Sequence, residues 1–161
     1  MEAYKCFNKG LINRYGTKFE VGKLYKVSGK IKFGNSGNGF HSCSYLEDTL
    51  RYFDTFSNNV DIALIDGFGN SIIYNDEYNG FYDMYVFEKM IINKVLTRDE
   101  IINYGLNLYD FRLKRFLSLY KLDYFEKKMF YDKYKNNNDI LNYIEYYQNN
   151  KKDVFIKKIK K

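Results

Sequence analysis

A chain of 161 residues with a net charge of +6, 45% hydrophobic and 29% charged residues has the composition of one globular domain with an ordinary core. Two cysteines build no disulfide framework, and neither a charged-then-apolar leader nor a run of about 20 apolar residues is present. The expectation is a protein of a reducing bacterial cytoplasm with no membrane segment, and composition excludes the secreted, disulfide-stapled class.

The first element expected is a strand over Ala3–Phe7, which alternates in polarity, with a loop through Asn8–Gly16. Phe19–Val27 alternates around a Val-Gly-Lys bend, and Ile31–Phe33 is a further short strand. Gly34–Gly39 supplies the glycine and asparagine that positive φ requires. Ser44 and Glu47 match a capping box, and Leu46, Leu50 and Phe53 follow at helical spacing, which predicts a helix over Tyr45–Phe53. Val60–Ile65 reads as a buried strand, with Asp66–Asn70 turning the chain back through Ile72–Tyr74. Asn79-Gly80 is a turn dipeptide before an apolar run, Phe81–Leu96, of one strand or two.

Thr97–Glu100 forms a second capping box, with Leu96 placed to staple onto Ile101, and that helix is expected to stop at Gly105 through a left-handed cap. A long helix follows from Asn107 or Tyr109, with Tyr109, Leu113, Phe116, Leu117, Tyr120 and Tyr124 along one stripe. Asn136–Asp139 interrupts it before a helix through Ile140, Tyr143, Ile144 and Tyr147 and a basic tail, Lys151–Lys161. The layout is α+β: a small mixed or antiparallel sheet with one helix, followed by a helical C-terminal third. It forms a single domain, 1–161, with a sheet-rich part to residue 105 and a helical basic part from 106.

Charge is segregated along the chain. Residues 1–32 carry eight basic against two acidic residues, residues 33–100 four against eleven, and residues 101–161 fourteen against seven. Either the basic ends lie against the acidic middle or two faces meet different partners. In the C-terminal third, Arg112, Lys114, Arg115, Lys121, Lys127 and Lys128 alternate with Phe116, Tyr124, Phe125 and Phe130. Cations neutralise phosphates and aromatic faces stack on unpaired bases, so this pattern suits RNA contact, and it equally suits an amphipathic helix with a solvated lysine face.

Polar chemistry concentrates at Gly37-Asn38-Gly39-Phe40-His41-Ser42-Cys43, which holds the only histidine and one of the two cysteines. Glycines permit close approach of a ligand to the backbone, and histidine titrates near neutrality, which nominates Gly39, Phe40, His41 and Ser42 for ligand contact. His41 and Cys43, two apart on a strand, stand roughly 7 Å from one another. That separation exceeds the reach of a thiolate–imidazole pair, so no catalytic residue is nominated. Zinc needs four ligands, or three plus water, and Cys6, Cys43 and His41 are the only soft candidates, while Asp66–Asn70 lacks calcium-loop spacing, so no metal site is nominated.

Tyr4-Lys5-Cys6-Phe7-Asn8, Phe19 to Tyr25, and Gly39-Phe40-His41-Ser42-Cys43 resemble an uncharacterised domain of phage and prophage proteins that opens Tyr-Lys-Gly-Phe-Asn and carries Gly-Phe-His-x-Cys. The resemblance covers residues 3–100, with Cys6 where that pattern has glycine. It implies a mobile-element origin and, for a small protein, an anti-defence factor such as an anti-CRISPR protein that binds a host nuclease or ribonucleoprotein without a cofactor. More distantly, Gly39-Phe40-His41 before a helix is similar to the ADP-ribosyltransferase fold. That resemblance implies NAD as ligand, Lys5 at the first-strand position of the family's His or Arg, and Glu77 or Glu88 as the late-strand glutamate. A virion structural or assembly protein is the third class.

Overall fold

The computed structural model of the chain describes residues 1–34, 36–53 and 59–149, and the basic tail lies outside the described residues. The architecture is α+β and falls into two compact units, Met1–Thr97 and Arg98–Lys161. The change of character expected near residue 105 therefore comes one helix earlier.

Unit 1 contains five strands, β1 (Glu2–Asn8), β2 (Leu24–Lys26), β3 (Phe40–Cys43), β4 (Val60–Asp76) and β5 (Phe81–Val95), all paired antiparallel. The pairings run in a ring. β4 pairs with β1 and β5, β5 also takes β2 and β3, and β3 returns to β1 through Tyr4 and Cys43. Alternation sorts the side chains into two faces. One holds Ala3, Phe7, Phe40, Ala63, Ile65 and Phe87 in a core with Phe19, where Phe19 packs edge-on against Phe40 with ring centroids 6.3 Å apart. Each such fully buried large side chain contributes about 1.5–3 kcal/mol. The other face carries Cys6, Cys43, Ile62 and Met84, all buried, and a short helix, α1 (Leu46–Thr49), packs against β1 and β3.

Three local expectations are corrected in this unit. The Ser44–Glu47 box does not form: Tyr45 occupies the N-cap in extended conformation without a side-chain cap, and α1 gives way to a 3-10 turn over Leu50–Tyr52. Asp66–Asn70 does not reverse the chain. β4 runs through it as one strand, and the ladder shifts register between Phe68 and Ser71. Gly69, at φ +81°, takes the left-handed position of a bulge, and Glu88 Oε2 accepts the Asn70 N–H at 2.9 Å. The reversal comes instead at Glu77–Gly80, where Gly80 has φ +70° and Asp76 accepts the Asn79 N–H, so Phe81–Val95 is one strand. Finally, Ile31–Phe33 is no strand, and only a single bridge links Lys32 to Asn38.

Unit 2 comprises α2 (Arg98–Leu106), α3 (Asp110–Leu119), α4 (Tyr124–Lys133) and α5 (Asn138–Ile144), the last continuing into a π-type turn at Glu145–Asn149. The single long helix expected after Tyr109 is thus two, α3 and α4. Asp123 begins the second with a full capping box: its carboxylate accepts the Glu126 N–H while Glu126 accepts the Asp123 N–H. The break is held from afar, because Gln148 accepts the Leu122 N–H and donates to Leu117 O and Tyr120 O. Consequently Leu113, Phe116, Leu117 and Tyr120 of the expected stripe are buried, whereas Tyr109 and Tyr124 at its ends are exposed. Gly105 is no left-handed cap either. It lies inside α2 against the Phe116 ring, where a Cβ would stand 2.4 Å from Cε1, so its role is close helix packing. No helix among the described residues is long and apolar enough to cross a membrane.

Candidate functional site

A cavity of about 590 Å³ opens in unit 1 where β1 and β3 part beyond their one pairing at Tyr4 and Cys43. Lys5, Gly39, Phe40, His41 and Ser42, the five residues nominated for ligand contact, all line it. Gly39 makes the approach feasible. Its φ is +124°, and a Cβ there would lie 2.4 Å from Val86 Cγ1, so glycine is required for β3 to start at this place.

Lys5 points to the core face of β1 between Ala3 and Phe7. Its Nζ donates to His41 O at 2.6 Å and lies 5.5 Å from the Phe7 ring centroid. Burial pulls its pKa down to about 8, with Arg14 adding to the shift and the Cys43 and Cys6 thiols opposing it. Among the described residues no carboxylate pairs with it. Ser42 sits beside it across the strands, since the register of Tyr4 on Cys43 brings Lys5 opposite Ser42. Ser42 is 5% exposed, and its Oγ makes no hydrogen bond with any described residue.

His41 is committed to its own loop. The Gly34 N–H donates to Nε2 at 3.2 Å, which leaves the proton on Nδ1, 3.2 Å from Gly39 O. Burial, and then the Lys5 charge, hold its pKa below the usual histidine range, so the ring is neutral and shapes the loop. Phe33 lies between this ring, at 5.5 Å, and Tyr74, on which it stacks at 4.1 Å. Cys6 and Cys43 are free and buried, and burial pushes both thiols up to about 12. The cavity thus holds no thiolate nucleophile at neutral pH.

Two cationic residues of the lining, Arg14 and Arg51, were not nominated from the sequence. They are the only arginines in residues 1–97, in a chain with 21 lysines and five arginines, and that disproportion was a usable signal. Arg51 lies over the Phe81 ring at 4.0 Å and 3.8 Å from Asp76. Among the described residues, no Asp or Glu lines the cavity. Glu88 is held by the Asn70 N–H, which depresses its pKa, and by Lys26 at 3.5 Å, while Glu77 sits in the hairpin turn. Three His, Cys, Asp or Glu side chains nowhere cluster as metal ligands among the described residues.

The six cations nominated in the C-terminal third do not make one open face. Lys114 pairs with Asp139 at 2.8 Å, and Arg112 and Arg115 lie over the Phe111 ring at 5.2 and 4.5 Å. Lys121 Nζ donates to Gln148 O and Lys127 Nζ to Asn149 Oδ1. Lys128 is the exception, exposed on α4 beside the exposed Tyr124, Phe125 and Met129. These four positions share one side of the helix.

A family model described as "Domain of unknown function (DUF7666)" matches residues 1–103, a span that includes the whole cavity and ends within α2. No curated protein and no solved structure matches the chain.

Proposed function

We propose that this chain, which belongs to the DUF7666 family, works by binding and not by bond-breaking, with a small ligand held in the cavity of its family-matched unit. The supporting observation is the lining: cations and aromatic walls surround the space, while among the described residues carboxylates and thiolates able to act as base or nucleophile are missing from it. The same absence weighs against a transferase that uses NAD, since neither Glu77 nor Glu88 reaches the cavity lining. Native mass spectrometry after incubation with a bacterial metabolite extract is expected to show a retained small molecule. Thr17→Trp, which fills the mouth from an exposed position, should lose it. A parent protein that retains nothing sinks the reading.

A second reading, a host protein or ribonucleoprotein as target in an anti-defence role, is favoured by the α4 face. Exposed Tyr124, Phe125 and Met129 around a cation are the residue types that dominate macromolecular contacts. Affinity capture from host lysate, with and without nuclease treatment, should retain a partner that Phe125→Asp with Lys128→Glu loses at least tenfold. Equal capture by parent and variant would remove α4 from the contact.

A further inference from the structure

We propose that the cavity of unit 1 takes its ligand by an oxyanion, a carboxylate or a phosphate, seated between Lys5 Nζ and Ser42 Oγ. This rests on the reading of the cavity as a ligand site and specifies its chemistry. Two observations carry it. The first is an ammonium placed on the core face of a strand with one carbonyl hydrogen bond and no counter-ion among the described residues, although an ammonium can donate three. A half-buried cation without a counter-ion is costly, and proteins retain such groups chiefly where an opposite charge arrives.

The second is Ser42. Its buried hydroxyl makes no hydrogen bond with any described residue, on the strand position next to Lys5 and in the lining of the same cavity. A hydroxyl orphaned beside an ammonium with donors to spare offers one neutral and one charged donor to the same acceptor group. An oxyanion satisfies both at once, whereas a neutral carbonyl would leave the charge uncompensated. The remaining lining is consistent with this polarity. Arg14 adds a second positive group that acts on Lys5, and no carboxylate among the described residues of the lining competes for the anion. A carboxylate ligand and a phosphate ligand share this chemistry, and the probes separate them.

Lys5 being the titrating member, the charged and titratable groups that face it are Arg14 from the loop after β1, His41 and the Cys43 thiol of β3 and the Cys6 thiol of β1. Both thiols stay protonated to about 12, and burial holds His41 below the usual histidine range, so between pH 7 and 10 the charge that changes among these groups is that of Lys5. Anion binding is strongest below about pH 8 and fades above it.

The test is a titration of the full-length protein with benzoate, phenyl phosphate and benzamide, followed by amide chemical shifts and by the melting temperature. Benzoate or phenyl phosphate is expected to bind with a Kd at least tenfold below that of the neutral benzamide, and the tighter of the two identifies the acid group. Lys5→Met should lose that preference and the pH dependence, while Ser42→Ala weakens anion binding three- to tenfold. If benzamide binds as well as the anions, or if Lys5→Met retains the preference, the oxyanion seat is wrong although the cavity still binds ligands. If none of the three probes binds, the seat is overturned whatever the metabolite experiment returns, and a blank in both retires the ligand-site reading as well.

Discussion

Gln148→Leu is expected to destabilise unit 2 by about 3–5 kcal/mol, the largest effect of any single polar substitution in the described helices. The side chain is 2% exposed and serves three backbone groups at the α3–α4 break, Leu122 N–H, Leu117 O and Tyr120 O. Leucine fills a similar volume and removes all three of these bonds, and a buried group left unsatisfied costs about 1–3 kcal/mol. Urea unfolding followed by far-ultraviolet circular dichroism reads the loss in helical signal. Gln148→Glu, which keeps the acceptor for Leu122 but turns a buried carboxylate toward two carbonyl oxygens, should be at least as destabilising as the leucine variant. A Gln148→Leu protein within 1 kcal/mol of the parent would mean that the helix break is set by Asp123 and Glu126 alone.

Lys5→Met should move stability the other way. At pH 7 the ammonium is charged in the folded and the unfolded chain, and burial makes the folded form pay for it, so the unliganded variant is expected to be more stable by on the order of 2–3 kcal/mol. The pH dependence has a definite sign. Below about pH 8 Lys5 is protonated in both states and the penalty is complete. Between about 8 and the ordinary lysine value near 10.5 only the unfolded chain holds the proton, so parent stability rises with pH and approaches that of Lys5→Met. Burial raises the pKa values of Tyr4, Tyr52 and Tyr85, and the difference between parent and variant cancels their contribution. A constant difference from pH 7 to 10.5 would place the ammonium in water.

What could be read from the sequence was whatever short-range chemistry decides. The Asn79-Gly80 turn, the first strand and the glycine-flanked Phe40–Cys43 strand all stand where local residues put them. The continuity of β4 was hidden because Glu88, 18 residues on, satisfies the Asn70 amide and turns an apparent reversal into a bulge. The α3–α4 break was hidden for a similar reason: the D-x-x-E box at 123–126 is local, but Gln148 lies 26 residues beyond the amide it accepts. At the site, Lys5 and Gly39–Ser42 were nominated from the motif and the resemblance, whereas Arg14 and Arg51 enter only because ring closure brings separate segments to one cavity. Net charge by segment was legible too. It did not foretell that Lys114 would be spent on Asp139 or Lys121 on the carbonyl of Gln148.

The closure of the strand ring is uneven, and this sets which part of unit 1 breathes. β1 is zipped to β4 along its whole length, and β4 to β5 over most of theirs, but β1 meets β3 at a single residue pair. Local opening with little lost pairing should therefore start at that seam, making the amides of β3 exchange with solvent ahead of those in the long hairpin. Whatever bridges Lys5 on one lip and Ser42 on the other would act as a clasp. Occupancy would then register as slowed exchange along the seam, turning a recognition event into a change in rigidity that a distant surface of the same unit can feel.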